Sequence, residues 1–462
     1  MIPTLLWILT NKMPIISIKT VSGLLNYWRE KLQTMANKKN ISPWAWIPSL
    51  YLAEGLPFVA VQTISVIMYK RMGISNTDIA LYTGLLYLPW LIKPVWSPFV
   101  DILKTKRWWI LTTQLLMGAG FAGVAFTAPL PFFFQATLAF FYLLAFSSAT
   151  HDIAADGFYM TGLNTNQQAM YIGARNVFYR VATLIGQGGL VFLAGYLERV
   201  TGNIPFAWSI TFFVLAGLFI LLSVYHRFAL PKPESDAPNP NLTASDILRE
   251  FIETFLSFFK KPQILAALFF MLTFRFAESQ LQKLINPFLL DPKNVGGLGL
   301  STEEVGIVYG TVGVIALLLG GIIGGIAASR GGLKKWLWPM TLSMLLTAAT
   351  FVYLSFSQTD NLLIINICVF IEQFGYGFGF TAYMLYLMYF SEGRHKTAHY
   401  AICTGFMAAG MMLPGMAAGW LQEQIGYNRF FLWVMICSII PIIAVSLLKI
   451  DSTYGVRKRN KT

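Results

Sequence analysis

The sequence predicts an all-α membrane protein of twelve transmembrane helices arranged as two six-helix bundles. Three observations carry that prediction. Of the 462 residues 56% are hydrophobic and only 12% charged, with a mean hydropathy of +0.58, whereas a soluble domain is roughly 45–50% apolar and about 25% charged. So little charge cannot cover a water-facing surface, and lipid must be the solvent for most of the chain. Apolar runs near the ~20 residues that cross a bilayer recur along the sequence. Short basic segments follow every second run.

In chain order the runs fall at 46–69, 79–100, 108–128, 132–158, 169–196 and 206–227, then at 263–283, 303–328, 336–356, 362–390, 399–421 and 429–449. An even count returns both termini to one side. Lys104-Thr105-Lys106-Arg107 follows the second run, Arg330 with Lys334-Lys335 the eighth, Arg394 and Lys396 the tenth, and Arg457-Lys458-Arg459 closes the chain. The intervening turns, such as Ala128-Pro129-Leu130-Pro131, are nearly uncharged. Basic residues are retained in the cytoplasm, so both termini are placed there. The same distribution accounts for the net charge of +13 and argues against a nucleic-acid partner.

The chain therefore divides into a cytoplasmic segment 1–45, a first bundle 46–227, a linker 228–262, a second bundle 263–449 and a cytoplasmic tail 450–462. Within the first segment, Met35 before Ala36-Asn37-Lys38-Lys39 reads as the physiological start. The linker opens on Pro231-Lys232-Pro233-Glu234-Ser235-Asp236-Ala237-Pro238, which cannot be helical, and runs into an amphipathic piece around Ile247–Phe259. Cys368, Cys403 and Cys437 each sit inside an apolar run without metal-ligand spacing and read as small core residues.

The halves echo each other. Asp101 is followed at five and six positions by Lys106-Arg107 and then Trp108, and Ser329 at the same offsets by Lys334-Lys335 and Trp336. Ala53-Glu54-Gly55 in the first run has a counterpart in Ala277-Glu278-Ser279 in the seventh. Two parallel repeats related by an axis along the membrane normal produce such offsets. The 97–107 segment resembles the Gly-x-x-x-Asp-Arg-x-Gly-Arg-Lys loop between helices 2 and 3 of the major facilitator superfamily, with Ser97 in the glycine place. The second copy keeps Gly325, Arg330, Gly332, Lys334 and Lys335 but has Ser329 in the aspartate place. That resemblance implies a gating role for Asp101, Lys106, Arg107 and Arg330.

Ionisable groups inside membrane helices are costly and face a cavity or a partner. Here they are Glu54, Lys93, His151, Asp152, Asp156, Arg175, Arg180, Arg275, Glu278 and Glu372. Asp152 and Asp156 are four apart and share a helix face. A turn near Asn164 brings the fifth helix back with Arg175 level with Asp152 and Arg180 about a turn deeper. An Asp–Arg pair in a wet cleft can exchange its internal partner for a proton or an anionic substrate; equally, it can be a fixed bridge between two helices. Glu54, Asp152 and Asp156 are the candidate proton-coupling groups. Arg275 and Glu278, three apart, can satisfy each other. His151 adjoins Asp152 and reads as a hydrogen-bonding residue. Small residues four apart, Gly306 with Gly310, Gly320 with Gly324, Gly375 with Gly379 and Gly415 with Gly419, predict close helix packing.

There is no phosphate-binding Walker loop, no His-Glu-x-x-His and no nucleophile elbow. The reading is a transporter driven by substrate or ion gradients, with no catalysis, cofactor or metal. One stretch is more specific. Ala145-Phe146-Ser147-Ser148-Ala149-Thr150-His151-Asp152-Ile153-Ala154-Ala155-Asp156 resembles the Ser-Ala-Ser-Gln-Asp-Ile-x-x-Asp signature of AmpG-type muropeptide permeases. Leu91-Ile92-Lys93-Pro94-Val95-Trp96-Ser97-Pro98-Phe99-Val100-Asp101 is similar to that family's Lys-Phe-Leu-Trp-Ser-Pro-Leu-x-Asp segment, and Phe370-Ile371-Glu372-Gln373-Phe374-Gly375-Tyr376-Gly377 to its Phe-x-Glu-x-x-x-x-Gly pattern. His151 stands where the family has glutamine, and Gly157 at an aromatic position.

The resemblance implies the major facilitator fold and proton-coupled import of anhydromuropeptides across the inner membrane by a monomer. Related carriers imply another anionic metabolite as the alternative, acetyl-CoA-like or siderophore-like, and a non-transporting membrane sensor is a further one. For a muropeptide, carboxylates and apolar sugar faces require a cleft of cations and rings, with Arg175, Arg180, Lys93, Tyr171, Tyr87 and Glu372 as the candidate binding residues.

Overall fold

The computed structural model describes residues 41–233, 236, 244–393, 395–452 and 454. Met35, Arg394, the basic run 457–459 and the side chain of Asp101 lie outside what is described. Among the described residues the secondary structure is helical, and nine helical runs are long and apolar enough to cross a membrane. Two of these are too long for one crossing. Thr302–Ser357 has 56 residues, about 84 Å of helix at 1.5 Å per residue, and Ala398–Ser446 has 49. Each is bent at one glycine in a conformation other residues avoid, Gly332 at φ 76° and Gly426 at φ 75°. Splitting both runs, and adding Asn76–Leu85 with Leu88–Leu103 as one broken crossing, agrees with twelve.

These crossings are α1 (Pro43–Arg71), α2 (Asn76–Leu85 and Leu88–Leu103), α3 (Lys106–Thr127), α4 (Phe133–Gly162), α5 (165–201) and α6 (Ile204–Ala229), then α7 (Ile264–Leu290), α8 (302–331), α9 (333–357), α10 (Leu362–Ser391), α11 (396–425) and α12 (427–446). The turns carry the chemistry that stops and starts helices. Ser75, Thr105, Asn203 and Asn361 accept a backbone N–H of the helix they open. Asn164 with Gln167, and Ser301 with Glu304, form reciprocal capping boxes. The amphipathic linker piece is a helix, Ala244–Phe259, which does not cross. Its Phe258 is fully buried against Phe390 and Phe406 of the second half.

In the first half α3 packs on α4 and α6, and α1 on α4 and α5. In the second half α10 lies against α8 and α9, and α7 against α11. The halves meet where α2 touches α11 and α5 touches α8. These seams are backbone-close: a Cβ on Gly419 would lie 1.9 Å from the Asn76 carbonyl oxygen, and one on Gly310 2.0 Å from that of Gln187. The glycine spacing therefore does serve packing. The outside is apolar, with Leu221 69% and Leu265 80% exposed, as a lipid-facing surface requires.

Candidate functional site

A cavity of about 320 Å³ lies between the halves near the middle of the crossings. Its rings are Phe58, Tyr87, Tyr179, Tyr309, Tyr376 and Phe380; its amides are Gln62, Gln187, Gln282, Asn286 and Gln373; its cations are Arg180, Arg275 and Lys283. Irregular helix puts several of them there. Widened π turns span Ala60–Ile64 in α1, Ile185–Leu190 in α5 and Val308–Gly313 in α8, and they carry Gln62, Thr63, Gln187 and Tyr309. One extra residue in a turn rotates the following side chains to a new face, a device frequent at functional sites. Gln187 Nε2 donates to Thr63 Oγ1 at 3.1 Å, tying two of these turns together. Breaks at Leu86–Tyr87 in α2 and Phe274–Arg275 in α7 place Tyr87 and Arg275 on the wall.

The charge of Arg275 is answered within its own helix. Its guanidinium forms a two-pronged pair with Glu278 at 2.7 and 3.0 Å and donates to Tyr376 Oη at 2.9 Å. Glu372 sits just behind the wall, with its oxygens accepting from Gln282 Nε2 at 3.2 Å and Gln373 Nε2 at 2.8 Å. Tyr309 Oη donates to Gln282 Oε1 at 2.5 Å, which orients that amide.

A second constellation lies within the first half, where α1, α2, α4 and α5 converge. Lys93 Nζ reaches Asp152 Oδ2 at 3.2 Å, and Arg175 Nη2 reaches Asp156 Oδ1 at 2.6 Å. Sequence spacing places Arg175 level with Asp152. The structure instead gives Asp152 to Lys93, because α2 packs on that face of α4, and gives Asp156, one turn along, to Arg175. The Arg175 guanidinium also lies 4.7 Å over the Tyr51 ring, a cation–π contact. Glu54 is buried beside them, and its Oε2 has no hydrogen-bond partner among the described residues. The cluster thus holds three carboxyl groups against two cations.

Of the predicted binding residues, Tyr87 and Arg180 line the central cavity. Lys93 and Arg175 belong to the charge cluster, and Tyr171 packs edge-on against Trp44, with ring centroids 5.5 Å apart, away from the cavity. Of the predicted gating residues, Lys106 and Arg107 use their backbone N–H groups to bind the linker carboxylate Asp236, at 2.7 and 3.0 Å, as an anion at a helix N-terminus should be bound. A Cβ on Gly157 would meet Lys106 Cε at 2.3 Å, so the lysine stem occupies the place of an aromatic side chain. Arg330 is exposed. His151 is fully buried and meets Gln114 Nε2 at 3.0 Å; Gln114 in turn joins His226, which meets Ser49. Sequence reading missed Lys283, Gln62 and Gln187. The predicted seventh run stops at Lys283, although Leu284, Ile285, Phe288, Leu289 and Leu290 continue its apolar pattern. The two glutamines carry no charge to betray them.

One turn beyond the cavity, a polar network joins the halves. Lys70 pairs with Asp291 at 2.6 Å, and Arg199 with Glu303 at 3.1 Å. Asn76 Nδ2 donates to Gln422 Oε1 at 2.7 Å and to Tyr427 Oη at 2.9 Å. Thr302 donates to Glu198, and Thr77 to Glu423. This end, opposite the one bearing α1's start and α12's finish, is closed.

The model of the Major Facilitator Superfamily matches residues 49–401. A chain of Rickettsia conorii named as transporter AmpG 4 is 26% identical over 407 residues, covering 84% of this chain and 92% of its own length. The anhydromuropeptide permease of Escherichia coli K12 is 25% identical over 393 residues, covering 83% of this chain and 75% of its own. Among solved structures the nucleoside transporter NupG superposes with a TM-score of 0.65 at 13% identity, over 88% of this chain and 99% of its own. A D-xylose-proton symporter reaches 0.66 at 13%, over 89% and 98%.

Proposed function

The chain belongs to the Major Facilitator Superfamily, a multi-pass membrane transporter, and on that premise we propose that it imports anhydromuropeptides across the inner membrane with protons. The substrate class is N-acetylglucosamine linked to anhydro-N-acetylmuramic acid, with or without peptide. The observation that carries the reading is the central cavity, whose rings, amides and cations match the apolar faces, acetamido groups and carboxylate of such a sugar. Similarity to the permease of that name over 83% of this chain supports it.

Proton coupling is read from the cluster in the first half. Three carboxyls facing two cations leave one unbalanced negative charge, which is costly inside a membrane. A proton on Glu54, the carboxyl without a cation of its own, balances it. Deprotonation then leaves Glu54 competing with Asp152 and Asp156 for Lys93 and Arg175, and that competition loosens the contacts between α1, α2, α4 and α5. With the termini in the cytoplasm, the closed end faces the periplasm and the cavity serves release inward.

Uptake of labelled anhydro-disaccharide into cells lacking their own permease tests the assignment. Accumulation that collapses when the proton gradient is dissipated is the expected result. If the acid is not taken up and an unrelated anion such as an acyl-coenzyme A or a siderophore is, the muropeptide assignment is wrong.

A further inference from the structure

Among the described residues, five cations lie in the central membrane segments, and three of them are answered by carboxylates: Lys93 by Asp152, Arg175 by Asp156 and Arg275 by Glu278. The other two are Arg180 on α5 and Lys283 on α7, and both face the central cavity from opposite halves. Arg180 makes no hydrogen bond or ion pair among the described residues. Lys283 Nζ has one partner, Thr83 Oγ1 of α2 at 2.8 Å. That hydroxyl spends its own proton on the Ile79 carbonyl at 2.6 Å, so it offers Lys283 a lone pair and no charge. Among the described residues no carboxylate lines this cavity.

Two uncompensated charges held in a membrane interior are costly, and they persist where a ligand supplies the counter-charge. An ammonium has three donors and a guanidinium five; one of these eight is used here. We propose that Lys283 and Arg180 form the subsite for the substrate's anionic group, a carboxylate held between the two halves. The inference rests on the cavity being the transport site, and it names which residues read the acid. It also gives Thr83 a role. Its hydroxyl is the neutral acceptor that holds Lys283 in place and is exchanged for the carboxylate. An anion bridging Lys283 and Arg180 then links α7 to α5 through the ligand, so that binding acts on both halves at once.

The test uses the full chain in lipid nanodiscs, titrated calorimetrically with the anhydro-disaccharide acid and with its carboxyl-reduced alcohol. A charge-assisted contact to a carboxylate corresponds to roughly 10- to 150-fold in affinity. Lys283→Gln and Arg180→Gln are each expected to weaken the acid by that factor and to leave the alcohol within about threefold. Lys283→Arg should retain most of the acid's affinity, and Thr83→Val should leave it equal or tighter. Equal loss of acid and alcohol would show a role in shape or folding, and an unchanged affinity for the acid would show no role; either overturns the proposal. If the wild-type protein binds neither compound, the muropeptide reading fails by itself. The subsite is then tested by thermal shift with lactate, acetate and sugar phosphates. Stabilisation of the wild type that disappears in both glutamine variants supports it, and no stabilisation by any of these anions refutes it.

Discussion

Glu54 shows how burial and pairing together select a residue. Its neighbours Asp152 and Asp156 each own a cation at ion-pair distance, while Glu54 is 6% exposed and owns none. Replacing it by glutamine keeps the shape and makes the neutral form permanent. Glu54→Gln is therefore expected to support substrate exchange across proteoliposomes at near wild-type rates while losing accumulation driven by a proton gradient. Wild-type accumulation at an imposed gradient would remove Glu54 from the coupling scheme. Removing Arg175 is different, because it strands Asp156. The pair is only partly buried, so the loss falls between the roughly 0–1 kcal/mol of an exposed pair and the roughly 3–5 kcal/mol of a fully buried one, and Arg175→Ala should lower the unfolding temperature where Glu54→Gln does not. The residues of this cluster were legible in the sequence, since charge inside an apolar run is a strong signal. Their pairing was not, because it depends on how α2 and α5 are rotated against α4.

At the scale of the element, backbone detail decides what the side chains can do. Three π turns set Gln62, Gln187 and Tyr309 on the cavity wall, and the turns of α5 and α8 touch directly, with Gly188 and Gly310 in contact. A methyl on Gly310 would overlap the Gln187 carbonyl, so the two helices must separate to admit it. Gly310→Ala is expected to cost about 1–3 kcal/mol, the usual range for overpacking, and to lower the unfolding temperature in detergent. Gly325→Ala is the control, since nothing lies within 4 Å of a Cβ there and alanine favours a helix. Equal effects of the two substitutions would mean that the α5–α8 seam is looser than its geometry implies. The spacing of the small residues announced close packing; which helix each would meet depended on the fold.

Across the whole molecule, two halves are held together by short seams and by polar bonds gathered at one end. Lys70–Asp291 is central to that closure, because Asp291 also accepts from Tyr427 Oη at 2.6 Å. Lys70→Ala removes the charge that balances Asp291 and should shift the protein toward opening at this end, about tenfold in population for each 1.4 kcal/mol lost. A cysteine replacing Thr63 on the cavity wall reports the shift. Its labelling by a membrane-impermeant maleimide from that side should rise in Lys70→Ala. Labelling should fall back when Lys70→Asp is combined with Asp291→Lys. Unchanged labelling would mean that the remaining network closes the end without this pair.

The one-dimensional facts settled the solvent, the crossings and the twofold plan. Membrane insertion depends on the length and apolarity of each segment and on flanking charge, and all three are read along the chain. The breaks near residues 332 and 426, the linker helix and the buried charges of α1, α4 and α5 followed from that reading. The cavity did not. Lys283 and Arg180 are 103 positions apart in the sequence, on helices of different halves, and nothing local says that they face one space or that Lys93 and Arg175 are already neutralised; only the pairing of Arg275 with Glu278, three residues on, was local enough to read. Whether a charge is free or paired depends on distances between helices. Only helix rotation, set by the packed contacts of α2 with α11 and α5 with α8, decides those distances.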